Sequence, residues 1–257
     1  MEYVLVALTV LLGAGLTFFS GFGLGTLMLP VFSLFFPLPV AIGATAIVHV
    51  SNNLFKFGMV YKHIHVMTLL RFGIPALVCA VIGSNLLGFI NNSGTIYTYS
   101  IGTKQLEMTY LKMVIGTLMV FFAWVDLSQK FSGVAIQKKY LSVGGALSGF
   151  FGGISGHQGA FRSAFLTKAG LTKEQFIGTS NVIALVIDFA RIGIYAKTLD
   201  FVALSNEKHL LLVGIVFAFI GTYFGKELLH KTTLKGIQKT VGVLLFVLGG
   251  LFILGLV

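Results

Sequence analysis

Two short runs place ionisable side chains inside otherwise apolar sequence. They are His157-Gln158-Gly159-Ala160-Phe161-Arg162 and Asp188-Phe189-Ala190-Arg191. A third set, His49, Asn52, Asn53 and Lys56, is spaced i, i+3, i+4 and i+7, which is one face of a helix. Thr45 extends that stripe by a turn, and Asn181, Asp188, Arg191 and Tyr195 form a similar one. Charge at bilayer depth costs roughly 3 kcal/mol per residue on insertion scales, so it marks function by default. Lys56, Arg162 and Arg191 against Asp188 leave a surplus of two positive charges. That balance favours an anion, and a guanidinium beside the free N–H groups of a helix start is suited to binding one. His157 or Asp188 is a candidate proton carrier.

Each group also has a structural role open to it. Asp188 and Arg191, three apart, can neutralise each other on one helix face. The amides can join helices by hydrogen bonds, and Lys56 can extend to a membrane surface. His157, beside glycines, can be held as one fixed tautomer. Arg162 has no such partner nearby in sequence.

The chain that carries these residues has 257 residues, 56% hydrophobic and 10% charged, with a mean hydropathy of +0.94. Soluble domains average about 25% charged residues, so this is an integral membrane protein. The formal charge of +10 comes from bases at the ends of apolar runs, which fits membrane topology and not nucleic-acid binding. Cys79 is the single cysteine, so no disulfide or thiolate metal site is available. The start, Met1-Glu2-Tyr3, lacks a basic n-region and reads as structure instead of a removed signal. No cofactor is expected.

Eight apolar segments are expected at about 3–36, 40–60, 67–90, 108–127, 139–167, 174–196, 208–229 and 236–257. The first would be about 51 Å long as one helix, against a hydrocarbon core of about 30 Å. Glycines interrupt it at Gly21-Phe22-Gly23-Leu24-Gly25. They interrupt the fifth at Gly152-Gly153-Ile154-Ser155-Gly156. Each is read as a break where the chain turns back or makes two short crossings.

The halves resemble each other at an offset of 135. Ala41-Ile42-Gly43-Ala44-Thr45 aligns with Phe176-Ile177-Gly178-Thr179-Ser180, Ser20-Gly21 with Ser155-Gly156, Asn53 with Asp188, and Lys56 with Arg191. If all eight segments simply crossed, basic residues would divide seven to eight between the faces, giving no orientation. If segments one and five return, one face holds Lys62, Arg71, Lys130, Lys138, Lys139, Lys168, Lys173, Lys226, Lys231, Lys235 and Lys239. The other keeps Lys104, Lys112, Lys197 and Lys208. Eleven against four satisfies the positive-inside rule. Each half is then a returning segment plus three spans, and the two have inverted topology. The expected architecture is an all-α polytopic membrane protein of two inverted repeats, 1–128 and 139–257, in one integrated domain. Both termini would lie outside the cytoplasm.

Two other chemistries are weighed. Gly153-Ile154-Ser155-Gly156 matches the GxSG nucleophile motif of rhomboid proteases. His209 and His230 are expected at the surfaces and His157 too close in sequence to act as base. His63-Ile64-His65 offers imidazoles for a divalent metal, without a nearby carboxylate.

Several of these elements, taken in order, resemble the sulfite exporter TauE/SafE family, also called domain of unknown function 81. They are Gly21-Phe22-Gly23-Leu24-Gly25 leading to Leu29-Pro30, the Ala41–Thr45 repeat element, Gly152-Gly153, Gly170-Leu171-Thr172-Lys173, and Ile177-Gly178-Thr179-Ser180. The resemblance covers nearly the whole chain. It implies a multi-pass permease of the plasma (inner) membrane for small sulfur-containing anions such as sulfite, sulfoacetate or thiosulfate. Ser155-Gly156-His157-Gln158-Gly159-Ala160-Phe161-Arg162-Ser163 departs from the glycine-rich turn before a proline common in that family. Asp188 and Arg191 stand where apolar residues are expected, so a subgroup with its own substrate is implied. The expectation is alternating-access transport of a small anion, with a homo-oligomer admissible. Its site would draw on Arg162, His157, Gln158, Asp188, Arg191, Asn53, Lys56, Asn52, His49 and Ser155. The rival is a non-transporting membrane protein, either a structural subunit or a protease.

Overall fold

The computed structural model describes residues 2–20, 24–128, 136–199, 207–228 and 234–256. Over these it is helical apart from one small hairpin. The helices are α1 Glu2–Ser20, α2 Leu24–Phe32, α3 Leu38–Val60, α4 Val66–Asn91 and α5 Tyr110–Leu127. The second half has α6 Leu141–Ser155, α7 Gly159–Leu166, α8 Lys173–Thr198, α9 Lys208–Leu228 and α10 Leu234–Ile253. Among the described residues, four helices are long and apolar enough to cross a membrane: α3, α4, α8 and α9. Stretches of α1, α5 and α10 are apolar but shorter.

Local sequence explains the boundaries. Pro37 and Pro39 open α3, where a missing N–H costs nothing because the first turn has no intrahelical acceptor. Thr172 and Gln175 form a reciprocal capping box at the start of α8. The hairpin, β1 Thr95–Ile101 and β2 Lys104–Thr109, was not foreseen. Its tip is Gly102 at φ +62°, and the Tyr99 hydroxyl donates to the Leu254 carbonyl at the end of α10.

Segments one and five are each two helices. The first break, Gly21 to Gly23, lies outside the described residues. At the second, Gly156 adopts φ +80°, which only glycine takes at little cost. α7 then runs back along α6: Ser148 Oγ donates to the Gln158 carbonyl at 2.9 Å, and a Cβ on Gly144 would meet the Phe165 ring at 2.3 Å. The Ile136 N–H donates to the Ala164 carbonyl at 2.9 Å, so the approach to α6 and the end of α7 share one end of the molecule. Eight residues of helix are about 12 Å, well short of a crossing. α2 likewise packs on α1, with Leu24 and Leu27 against Gly13.

The offset of 135 aligns helix ends: α1 stops at 20 and α6 at 155, α2 starts at 24 and α7 at 159, α3 starts at 38 and α8 at 173. Packing repeats in the same way. α6 lies on α4 as α1 lies on α9, and α4 meets α8 as α9 meets α3. α3 pairs with α8, its own counterpart, and α5 with α10.

Glycines set the α4–α6 approach. Added Cβ atoms on Gly145, Gly149 and Gly153 would lie 2.1, 2.0 and 2.4 Å from the carbonyls of Phe72, Ala76 and Ala80. Small residues four apart are how helices pack closely where lipid supplies no hydrophobic drive. α3 is mostly buried at the centre, whereas α4 turns Val66, Leu70, Ile74, Leu77, Val81 and Phe89 outward, as a lipid-facing helix would. The antiparallel α3 and α8 carry many of the buried polar residues, among them His49, Asn53, Lys56, Asp188 and Arg191.

Candidate functional site

Asp188 on α8 is the hub of the buried polar groups. It is fully buried, and a carboxylate there must be paired and hydrogen-bonded. Its Oδ2 accepts from His49 Nδ1 at 2.6 Å and from Asn53 Nδ2 at 2.9 Å, both on α3. Its Oδ1 accepts from Gln158 Nε2 at 3.0 Å and from Arg191 Nε at 3.1 Å. Since a carboxylate only accepts, His49 must carry its proton on Nδ1, leaving Nε2 as the basic nitrogen.

Gln158 extends the network. Its Oε1 accepts from Arg162 Nη1 at 2.8 Å, and Arg162 Nε donates to Ser180 Oγ at 2.7 Å. Arg162 therefore has partners, on α7 itself and on α8, that its sequence neighbourhood did not reveal. Asn181 Nδ2 donates to the Asn53 carbonyl at 3.0 Å, tying α8 to α3 once more.

Beside this network is an open pocket. Its polar wall is Thr17, His49, Asn53, Lys56, Arg162, Ser180 and Asn181; its apolar wall includes Phe18, Leu24 and Phe176. Among the described residues, no carboxylate lines it. Lys56 is 7% exposed, and its Nζ lies 5.7 Å from the centre of the Phe18 ring. Among the described residues it has no hydrogen bond or ion pair. A buried ammonium held only by an aromatic face is costly unless something else neutralises it.

The remaining expected residues lie elsewhere. Asp188, Arg191 and Gln158 stand behind the pocket wall and not in it. Arg191 packs its guanidinium against Gly156, where a Cβ would come within 2.5 Å of Nη1. Asn52 faces away, accepting from Thr222 Oγ1 on α9 at 2.7 Å. His157 stacks on the Phe122 ring at 5.0 Å.

Ser155 and His157, expected to be too close in sequence to work as nucleophile and base, do come within hydrogen-bond reach. The helix ends at Ser155, and the turn swings His157 back to place Nδ1 2.9 Å from Ser155 Oγ. A nucleophile is still poorly served. Ser155 Oγ donates to the Phe151 carbonyl at 3.1 Å, so its one proton is committed and His157 Nδ1 becomes the donor. Both residues are buried, at 1% and 2% exposure, where a peptide has no access. His65, from the possible metal pair, caps α4 by accepting the Thr68 N–H.

Ser180 and Thr17 are pocket residues that sequence reading passed over. For Ser180 the signal was present, since it ends the repeat element Ile177-Gly178-Thr179-Ser180.

The family model described as Sulfite exporter TauE/SafE matches residues 5–252. The chain belongs to the sulfite exporter TauE/SafE family. That membership makes it a membrane transporter, in keeping with its apolar helices and its pocket of buried cations. Among curated proteins no match was found. In this TauE/SafE member, the polar network occupies the contact between the two central helices, and the second glycine break supplies Gln158 and Arg162 to it.

Proposed function

We propose that this TauE/SafE protein carries a small sulfur-containing oxyanion or organic sulfonate across the plasma membrane by alternating access. The observation that carries the reading is the pairing of Lys56 and Arg162 in one pocket whose wall holds no acid among the described residues. Asp188 and Arg191 offset each other behind the wall, so the pocket keeps an excess positive charge that an anion neutralises. Ser180, Asn181 and Asn53 add hydrogen-bonding groups for oxyanion oxygens. Phe18, Leu24 and Phe176 offer an apolar surface to a short carbon chain, as in sulfoacetate.

The repeats 1–128 and 139–257 are taken as inverted halves. The shared helix offsets, the exchangeable contacts and the antiparallel α3–α8 pair all support this. Ser142 Oγ donates to the Arg71 carbonyl, and the His65 N–H to Thr179 Oγ1. These contacts gather Lys62, Arg71, Lys138, Lys139 and Lys173 near one end. By the positive-inside rule that end is cytoplasmic and the pocket opens towards it. Both termini then lie outside.

The test is thermal stability of the purified protein in detergent across a panel of anions: sulfite, thiosulfate, sulfoacetate, sulfate, phosphate and chloride. A ligand bound by the folded state raises stability by mass action, by about 2.7 kcal/mol at a hundred times its Kd. Stabilisation by the sulfur anions above that by chloride at equal ionic strength is expected. A flat response across the panel contradicts the reading.

A further inference from the structure

The pocket uses one end of the α3–α8 pair, and the offset of 135 maps each of its residues to a counterpart. Ser180 maps to Thr45, Lys56 to Arg191 and Asn53 to Asp188. His49 maps to Ala184, which also lines the pocket. Of these counterparts, Thr45 lies towards the start of α3 and Arg191 towards the end of α8. Because these helices are antiparallel, that is the opposite end of the pair from the pocket.

Two further observations fall on the mapped positions. Thr45 Oγ1, at 1% exposure, has no hydrogen-bond partner among the described residues. Arg191 Nη2 is ion-paired with Asp188 Oδ1 at 3.0 Å, yet this buried atom makes no hydrogen bond among the described residues. A buried polar atom left without a hydrogen bond is costly. Such a cost is tolerated where another state satisfies the atom. The space beside Thr45 is methyl-sized and too small for an oxyanion: a Cβ on Gly25 would sit in ordinary van der Waals contact, 3.5 Å from Thr45, 3.6 Å from the Gly156 carbonyl and 3.7 Å from His49. The two broken segments thus meet over Thr45.

We propose that Thr45, His49 and Arg191 form a second oxyanion station, closed in this structure, that opens to the opposite membrane face when α2 and the Gly156 turn separate. This rests on the reading of the Lys56–Arg162 pocket as an anion site. In the second station Arg191 takes the place of Lys56, and Thr45 that of Ser180. His49 lies between the two stations and contributes to both, so the anion stays beside the same imidazole as access changes sides. The charged groups facing His49 are Lys56 on its own helix, Arg162 from α7, and Asp188 and Arg191 from α8. The anion therefore passes between cations without leaving their field.

The test uses the full chain carrying Cys79→Ser, with either Thr45→Cys or Ser180→Cys, and a membrane-impermeant methanethiosulfonate. Reagent is applied to intact cells and to inside-out vesicles, with and without excess sulfoacetate, a sulfonate that does not attack the reagent as sulfite would. Ser180→Cys is expected to react from one face and Thr45→Cys from the other, with sulfoacetate slowing both several-fold. Reaction of both from the same face overturns the proposal, as does no reaction of Thr45→Cys from either face. Protection at Ser180→Cys without protection at Thr45→Cys removes the second station and leaves the pocket standing. Protection at neither position overturns the pocket reading and this proposal with it.

Discussion

Asn53 Nδ2 donates to Asp188 Oδ2 at 2.9 Å, and the two residues are 135 positions apart, the offset that aligns the helix ends. Counterparts in two repeats touch each other only where a pseudo-twofold axis passes between them. At such a contact identical side chains are a poor choice: two carboxylates about 3 Å apart repel. An amide facing an acid gives a donor and an acceptor, which explains why these positions diverge while their surroundings repeat.

The pair can be tested by exchange. Asn53→Asp alone places like charges together and should lower the melting temperature. Asp188→Asn alone leaves Arg191 buried without its carboxylate, a loss of about 3–5 kcal/mol. The double variant restores a donor facing an acceptor. Thermal unfolding in detergent should show the double variant more stable than the two single losses summed, by about 1 kcal/mol or more. Simple additivity would mean that the contact carries no coupling.

Lys56→Met should separate function from stability. The native ammonium is buried against Phe18 with no acid partner among the described residues, and methionine fills similar space without charge. Its melting temperature should rise by a few degrees, about 2–4 °C per kcal/mol for a chain of this size. Stabilisation by sulfite should fall at least tenfold in apparent affinity. A drop in melting temperature with unchanged sulfite affinity would assign Lys56 a structural role.

Arg162→Ala should abolish transport while leaving folded protein. Removing the guanidinium strands Gln158 Oε1 and Ser180 Oγ near the pocket, at a cost of about 1–3 kcal/mol. Size-exclusion chromatography should show a monodisperse peak as the flux disappears. Full activity in this variant contradicts the placement of the site.

The glycine stripe makes a purely structural prediction. Gly149→Ala places a Cβ 2.0 Å from the Ala76 carbonyl, so α4 and α6 must part. Gly221→Ala does the same between α9 and α1, at 2.1 Å from the Leu11 carbonyl. Each should lower folded yield sharply. Gly58→Ala, with open space around it, should lower it little and serves as the control.

Much of this was legible in sequence because the membrane penalises exceptions. Lys56, Arg162, Asp188 and Arg191 stood out by charge alone, and the breaks by segment length and glycine. The Asp188–Arg191 pair was legible from its i,i+3 spacing. That His49 and Asn53 join it was not, because they reach Asp188 across the α3–α8 contact, between residues 139 positions apart in the case of His49. The Gly145-Gly149-Gly153 stripe was overlooked because its meaning lies in the partner helix, whose carbonyls no local pattern announces. The β-hairpin escaped notice since its strands are short and half polar. His157 drew interest as a charge carrier, yet it meets a phenylalanine ring that sequence spacing could not bring to it.

Flux of radiolabelled sulfite into proteoliposomes tests the central claim most directly, with wild type, Lys56→Met and Arg162→Ala reconstituted at equal amounts. The account predicts saturable uptake by wild type, competed by thiosulfate or sulfoacetate and not by chloride. It also predicts loss of uptake in both variants despite intact folding. Absence of saturable uptake by wild type for each of the three sulfur anions would contradict it, as would undiminished uptake by both variants.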